Sequence, residues 1–246
     1  RNYRELSDST VNVNLKYVIH LVGEMHCPGH IYFADLPGGM DAPRHYDFFL
    51  LKYKGKEVTY HWVWDGSVSR QYPDWTEEDF RRLCREAKQR GIRVILDGVF
   101  NHTGSQSRYF NADGFYPGVG AAQSTDSPYF NWFSFHPWPT DYDAWWGIMT
   151  LPAVQENESD YRDFIIRGQD SVVRHWLRAG ASGWRLDVAD ELPDDFIAEI
   201  RTAMEETAPD SFLLGEVWED ATTKVAYSQR RRYLLGHELH GVMNYP

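Results

Sequence analysis

Apolar residues alternate with mostly polar ones through Val11, Val13, Leu15, Tyr17 and Ile19. That two-residue period predicts a half-buried strand. Residues 46–53 form a second apolar run, Lys54-Gly55-Lys56 reads as a turn, and residues 58–62 return as a partner strand. Pro-Gly pairs at 28–29 and 37–38 punctuate the stretch. Residues 1–62 are therefore expected to form a small antiparallel β-sandwich domain. Residues 63–75 have no clear period and mark a junction.

The period then changes. Thr76 is a candidate N-cap, with Glu77, Glu78 and Asp79 in the first turn, where acids suit the helix dipole. Phe80, Leu83, Cys84 and Ala87 follow at i, i+3, i+4 and i+7, and Gly91 is placed to end the helix. Residues 93–100 read as a buried strand. Ser159 starts a second helix, with Tyr161, Phe164, Ile165, Gly168, Val172 and Trp176 on one face and Gly180 at its end. A strand over 183–188, a helix over 194–207 (Phe196, Ile197, Ile200, Met204) and a strand over 212–217 complete the series. Helices alternating with buried strands predict βα units, a parallel sheet and an α/β class. Such folds hold their sites at the C-terminal ends of the strands.

Residues 104–157 interrupt the series with a long stretch rich in aromatics, Gly, Pro and Ser. Stretches of this length are functional or form a subdomain. The whole chain of 246 residues is 15% aromatic, with ten tryptophans and fifteen tyrosines. Aromatics on such a segment can stack on the apolar faces of sugar rings; core filling is the plainer reading for any one of them. The net charge of −11 argues against nucleic acid and against an anionic membrane surface. No run reaches the roughly 18 apolar residues of a membrane span. Two cysteines, Cys27 and Cys84, make no disulfide framework. The chain begins at Arg1 without a methionine or a leader-like segment, the mark of a cut or processed end. With so few cysteines, the expectation is a cytoplasmic enzyme of bacterial type.

Three stretches carry the chemistry: DGVFNH (97–102), GWRLDVAD (183–190) and LGEVW (214–218). Arg185 and Asp187 are two apart on a strand and point to one face. A guanidinium beside a carboxylate keeps it ionised and oriented, as a nucleophile toward a sugar carbon requires. Glu216, between apolar neighbours, has the setting of a general acid with a raised pKa. Two such acids on adjacent strands suit a retaining glycosidase, which wants them roughly 5–5.5 Å apart.

These three stretches resemble the first three signature regions of the α-amylase family of glycoside hydrolases, glycoside hydrolase family 13. The resemblance implies strands three, four and five of a (β/α)8 barrel, with a domain B insert over 103–157 and barrel segments over 63–102 and 158–246. It implies Asp187 as nucleophile and Glu216 as acid/base. It also implies Arg185, Asp97, His102, Trp146 and Trp218 as substrate contacts, and Asn101 as a residue that ligands calcium in many members. Trp145-Trp146-Gly147-Ile148 and Thr150-Leu151-Pro152 resemble the end of domain B in the neopullulanase, cyclomaltodextrinase and maltogenic amylase group. Residues 241–246 resemble the segment just after strand five, which puts the sixth strand outside the chain. In that group the N-terminal domain often serves homodimer formation.

The implied function is retaining hydrolysis of α-glucans: starch, maltooligosaccharides, cyclodextrins or pullulan. The alternatives are a glucanotransferase or a non-catalytic α-glucan-binding protein of the same fold. Residues 62–76 have no room for the barrel's first two strands, and no residue matches the family's third acid. The sequence is thus expected to be part of a longer enzyme.

Overall fold

The computed structural model describes residues 50–53, 55–59 and 74–244. The chain divides into two compact units, Arg1–Thr76 and Glu77–Pro246. In the first, β1 (Leu50–Tyr53) and β2 (Lys56–Thr59) pair antiparallel, from Leu50↔Thr59 to Tyr53↔Lys56. This is the predicted turn, with Gly55 at φ 80°. The rest of the sandwich expected over 1–62, and the junction up to residue 73, lie outside the described residues.

The second unit is built on a parallel sheet. Helix α1 (Glu77–Gln89) starts directly after Thr76 and buries Phe80, Cys84 and Ala87. Leu83, assigned to the same face, is exposed instead. The helix ends in a Schellman turn: Ile92 N–H donates to the Ala87 carbonyl and Gly91 N–H to that of Lys88. Gly91 takes φ 72°, which costs glycine nothing. Then come β3 (Ile95–Gly98), β4 (Gly183–Leu186) and β5 (Phe212–Val217), each parallel to the next. Gly183 allows β5 its close approach: a Cβ there would lie 2.0 Å from the Phe212 carbonyl oxygen.

Two expectations are corrected between β3 and β4. The helix from Ser159 is not continuous. One α turn, α2 (Ser159–Arg162), runs into a π turn (Asp163–Arg167), breaks at Gly168, and resumes as α3 (Val172–Arg178). The wider π turn and the break shift the phase of the face. Val173 and Leu177 are buried, and Val172 and Trp176 only partly so. The strand expected to reach Val188 ends at Leu186, because Val188 turns into the left-handed region at φ 42°.

Helix α4 (Asp194–Thr207) matches its prediction, and Phe196, Ile197, Ile200 and Met204 are fully buried. Each contributes roughly 1.5–3 kcal/mol of burial. A small hairpin follows β5: β6 (Val225–Ala226) and β7 (Gln229–Arg230). Its two-residue turn, Tyr227 and Ser228, takes φ 51° and 61°.

The chain then forms β8 (Gly241–Asn244), parallel to β5. The sheet order is β3-β4-β5-β8. A fourth parallel strand therefore stands where the sequence reading had a connecting segment. Val242 and Met243 are too short an apolar run to show a period.

Between β3 and α2 the insert has short 3-10 turns and isolated bridges, including His102↔Ala153 and Ala144↔Pro152. Phe110, Trp132 and Phe133 are buried, the plainer reading for those three, with Trp132 packed on Tyr161 and Phe164 after the insert.

Candidate active site

The strand register gathers the polar residues at one rim. Asp97 of β3 lies opposite Arg185 of β4. Leu186 lies opposite Gly215, so the next pair along sets Asp187 beside Glu216. All four are at or just beyond the C-terminal ends of their strands.

One guanidinium ties them together. Arg185 Nη1 donates to Asp97 Oδ1 at 2.6 Å and to Asp187 Oδ1 at 2.7 Å. Its Nη2 lies 2.7 Å from Glu216 Oε2. Burial works against the charge on Arg185, but the hydrogen bonds to Asp97 and Asp187 outweigh it and hold the group well above its ordinary pKa. The cluster carries three carboxylates and one cation. Asp97 is the most open of the three acids and Glu216 the most buried, at 7% exposure.

Glu216 does not sit among apolar groups alone, as its neighbours in sequence suggest. Besides Arg185, its Oε2 accepts the Val188 backbone N–H at 3.0 Å. That amide is aimed by the left-handed turn, an unusual conformation for a β-branched residue. Such backbone costs of order 1–3 kcal/mol and persists where surroundings fix it. Val188 itself is buried.

The strand-end residues after β3 brace the same rim. Asn101 is 3% exposed, and its Nδ2 donates to the Asp187 carbonyl at 3.0 Å. Its Oδ1 meets His102 Nδ1. Burial lowers the His102 pKa, with the charges of Asp187 and Glu191 opposing. Among the described residues, no group of three His, Cys, Asp or Glu side chains could hold a metal ion. The Asn101 side chain offers a cation one oxygen, Oδ1, which also contacts His102 Nδ1.

A chain of aromatic contacts starts from His102. His102 stacks on Trp145 with centroids 5.2 Å apart. Trp145 stacks on Trp146 at 5.3 Å, and Trp146 meets Trp218 edge-on at 5.4 Å. Trp146 is 68% exposed and Trp218 38%. The structure thus joins every residue singled out in the sequence into one cluster: Asp97, Asn101, His102, Trp146, Arg185, Asp187, Glu216 and Trp218.

Three partners escaped the sequence reading. Trp145 belongs to a motif already noted, and its stack on His102 needed the fold. Glu191 accepts the Trp146 indole N–H at 2.8 Å, across 45 positions of chain. The Val188 amide carries no side-chain signal at all.

A parallel α/β sheet with carboxylates and an arginine at its C-terminal rim is the arrangement of an alpha-amylase catalytic domain. The model of that family, described as "Alpha amylase, catalytic domain", matches residues 67–246. The chain belongs to this family.

An amylopullulanase of Thermoanaerobacterium thermosulfurigenes is 37% identical over 188 residues, 69% of this chain and 10% of its own length. A cyclomaltodextrinase of a Bacillus species is 30% identical over 238 residues, 89% of this chain and 38% of its own. Among solved structures, the cyclic alpha-maltosyl-(1→6)-maltose hydrolase of Arthrobacter globiformis is 32% identical with a TM-score of 0.55, over 69% of this chain and 36% of that one. The chain therefore spans about a tenth to two fifths of the length of these relatives. No helix among the described residues is long and apolar enough to cross a membrane.

Proposed function

We propose that the protein is a retaining hydrolase of α-glucans, with Asp187 as nucleophile and Glu216 as general acid/base. The observation that carries this is the single guanidinium of Arg185, which holds both carboxylates at one strand rim. The names of the family relatives, amylopullulanase and cyclomaltodextrinase, supply the substrate class.

Arg185 occupies Asp187 Oδ1, which leaves Oδ2 to attack the anomeric carbon. As that bond forms, the glycosidic C–O bond breaks, and Glu216 gives its proton to the departing oxygen. Glu216 then takes a proton from water. The water oxygen attacks the same carbon and releases Asp187. With Glu216 carrying the proton that it donates, the two carboxylates of Asp97 and Asp187 stand against one cation and leave a negative excess where positive charge develops on the sugar ring, so the transition state is favoured over the neutral substrate. His102 and the tryptophans bind the sugar rings. Their chain of aromatic contacts suits a glucan of several rings.

The test is turnover of maltooligosaccharides by the full-length protein. Glu216→Gln is expected to lower kcat on the order of 10²- to 10⁴-fold, and Asp187→Asn at least as much. Near-normal turnover in either variant refutes the assignment. Products longer than the substrate would point to a glucanotransferase. Binding of maltohexaose without release of reducing sugar would point to a non-catalytic binding protein.

A further inference from the structure

An exposed tryptophan in water has no fixed plane unless something holds it. Trp146 has three holds: the Trp145 stack, a T-shaped contact with Trp218, and the 2.8 Å bond from its indole N–H to Glu191 Oε1. Its backbone lies in the left-handed region, at φ 50°. A side chain in that setting depends on its contacts for orientation.

Glu191 is itself fixed at both ends. It closes the 3-10 turn Ala189–Glu191, and its N–H donates to the Val188 carbonyl at 2.9 Å. Its own carbonyl accepts the Tyr227 hydroxyl from the tip of the β6–β7 hairpin. Arg231 covers the Tyr227 ring, with Cζ 5.3 Å from the centroid. Buried Arg231 pairs with Asp194 and donates to the carbonyls of Asp190 and Leu192, on either side of Glu191. Glu191 thus stands on a turn held by hydrogen bonds on both sides, and its carboxylate accepts from Trp146.

We propose that Glu191 is a positioning residue, which sets the plane of Trp146 so that its face meets a sugar ring on the flank of the bond being cut. The inference rests on the α-glucan hydrolase reading above. It gives Glu191 a role through Trp146 and none at the anomeric carbon. It therefore governs preference for longer chains more than the chemical step.

The test compares Glu191→Ala, Glu191→Gln and Trp146→Phe in the full-length protein, with maltohexaose as substrate. Glu191→Ala is expected to raise KM about three- to tenfold, the worth of one hydrogen bond, with kcat within about twofold. Glu191→Gln keeps an acceptor oxygen and is expected to restore KM. Trp146→Phe removes the indole N–H, so adding Glu191→Ala to it should change KM no further.

An unchanged KM in Glu191→Ala, or effects that multiply in the double variant, overturns the proposal; multiplied effects would mean that Glu191 touches sugar directly. A second readout needs no turnover. The Trp146 indole N–H is expected to exchange with solvent faster in Glu191→Ala than in the parent, and equal rates overturn the proposal as well. A parent protein that neither cleaves nor binds maltohexaose overturns the hydrolase reading and this proposal together, whereas an active parent with unaffected variants overturns this proposal alone.

Discussion

Arg185 shows how much one side chain can decide. Its planar fork reaches three acids, one on each flanking strand and one just beyond the end of its own. Lysine has one compact ammonium and cannot reproduce that fork. Arg185→Lys is therefore expected to leave the fold intact and lower kcat about 10²-fold through misplaced carboxylates, with KM changed much less. Steady-state kinetics on maltooligosaccharides, beside a circular dichroism melt, check this. The residue types of this cluster were legible in the sequence, because Arg185 and Asp187 share a strand face. The Glu216 environment was not. Its donors are a guanidinium from the neighbouring strand and a backbone amide, and neither appears among the letters around position 216.

At the scale of elements, strong periods survived and weak ones did not. Helix α4 kept its limits because four large apolar residues fall on one face. Ile200→Ala is expected to cost about 2–5 kcal/mol, read from urea unfolding, since the site is fully buried. The helix from Ser159 broke because an inserted π turn and Gly168 shift its phase, which a fixed 3.6-residue pattern cannot express. Strand β8 was missed because two apolar residues carry no period. Between β4 and β5 the tolerance is tighter still. Gly183→Ala would drive a methyl to 2.0 Å from the Phe212 carbonyl and so part the strands. A loss of about 3 kcal/mol is expected, and an unaltered unfolding midpoint would contradict this packing.

Across the second unit, charge is kept out of water in places the reaction does not use. Glu238 is 3% exposed, and burial, then the charge of Asp194, pushes its pKa from 4.5 up to about 7, against the pull of Arg231 and Arg232. The folded chain thus binds a proton that the unfolded chain has released. Stability contributed this way is present below pH 4.5 and is lost as pH rises through about 7. Glu238→Gln is expected to flatten that part of the stability profile and to raise the melting temperature at pH 8. Thermal melts from pH 5 to 8 that run parallel for the two proteins would exclude it. No sequence pattern marks Glu238: its burial comes from the loop before β8 folding under α4, where Arg201 donates to its carbonyl. The α/β class and the rim position of the acids were legible because hydrophobic period and motif order are local. Buried charge and left-handed turns are set by distant contacts.

The uneven count of charges around Arg185 has a consequence for inhibition. A sugar analogue with a protonated nitrogen in its ring would supply a second cation beside Arg185, where acids outnumber the guanidinium. It would be held without any bond being broken, and the neutral ring of the same shape would be held less well. The ratio of the two affinities is then a direct measure of the charge stored at the strand rim.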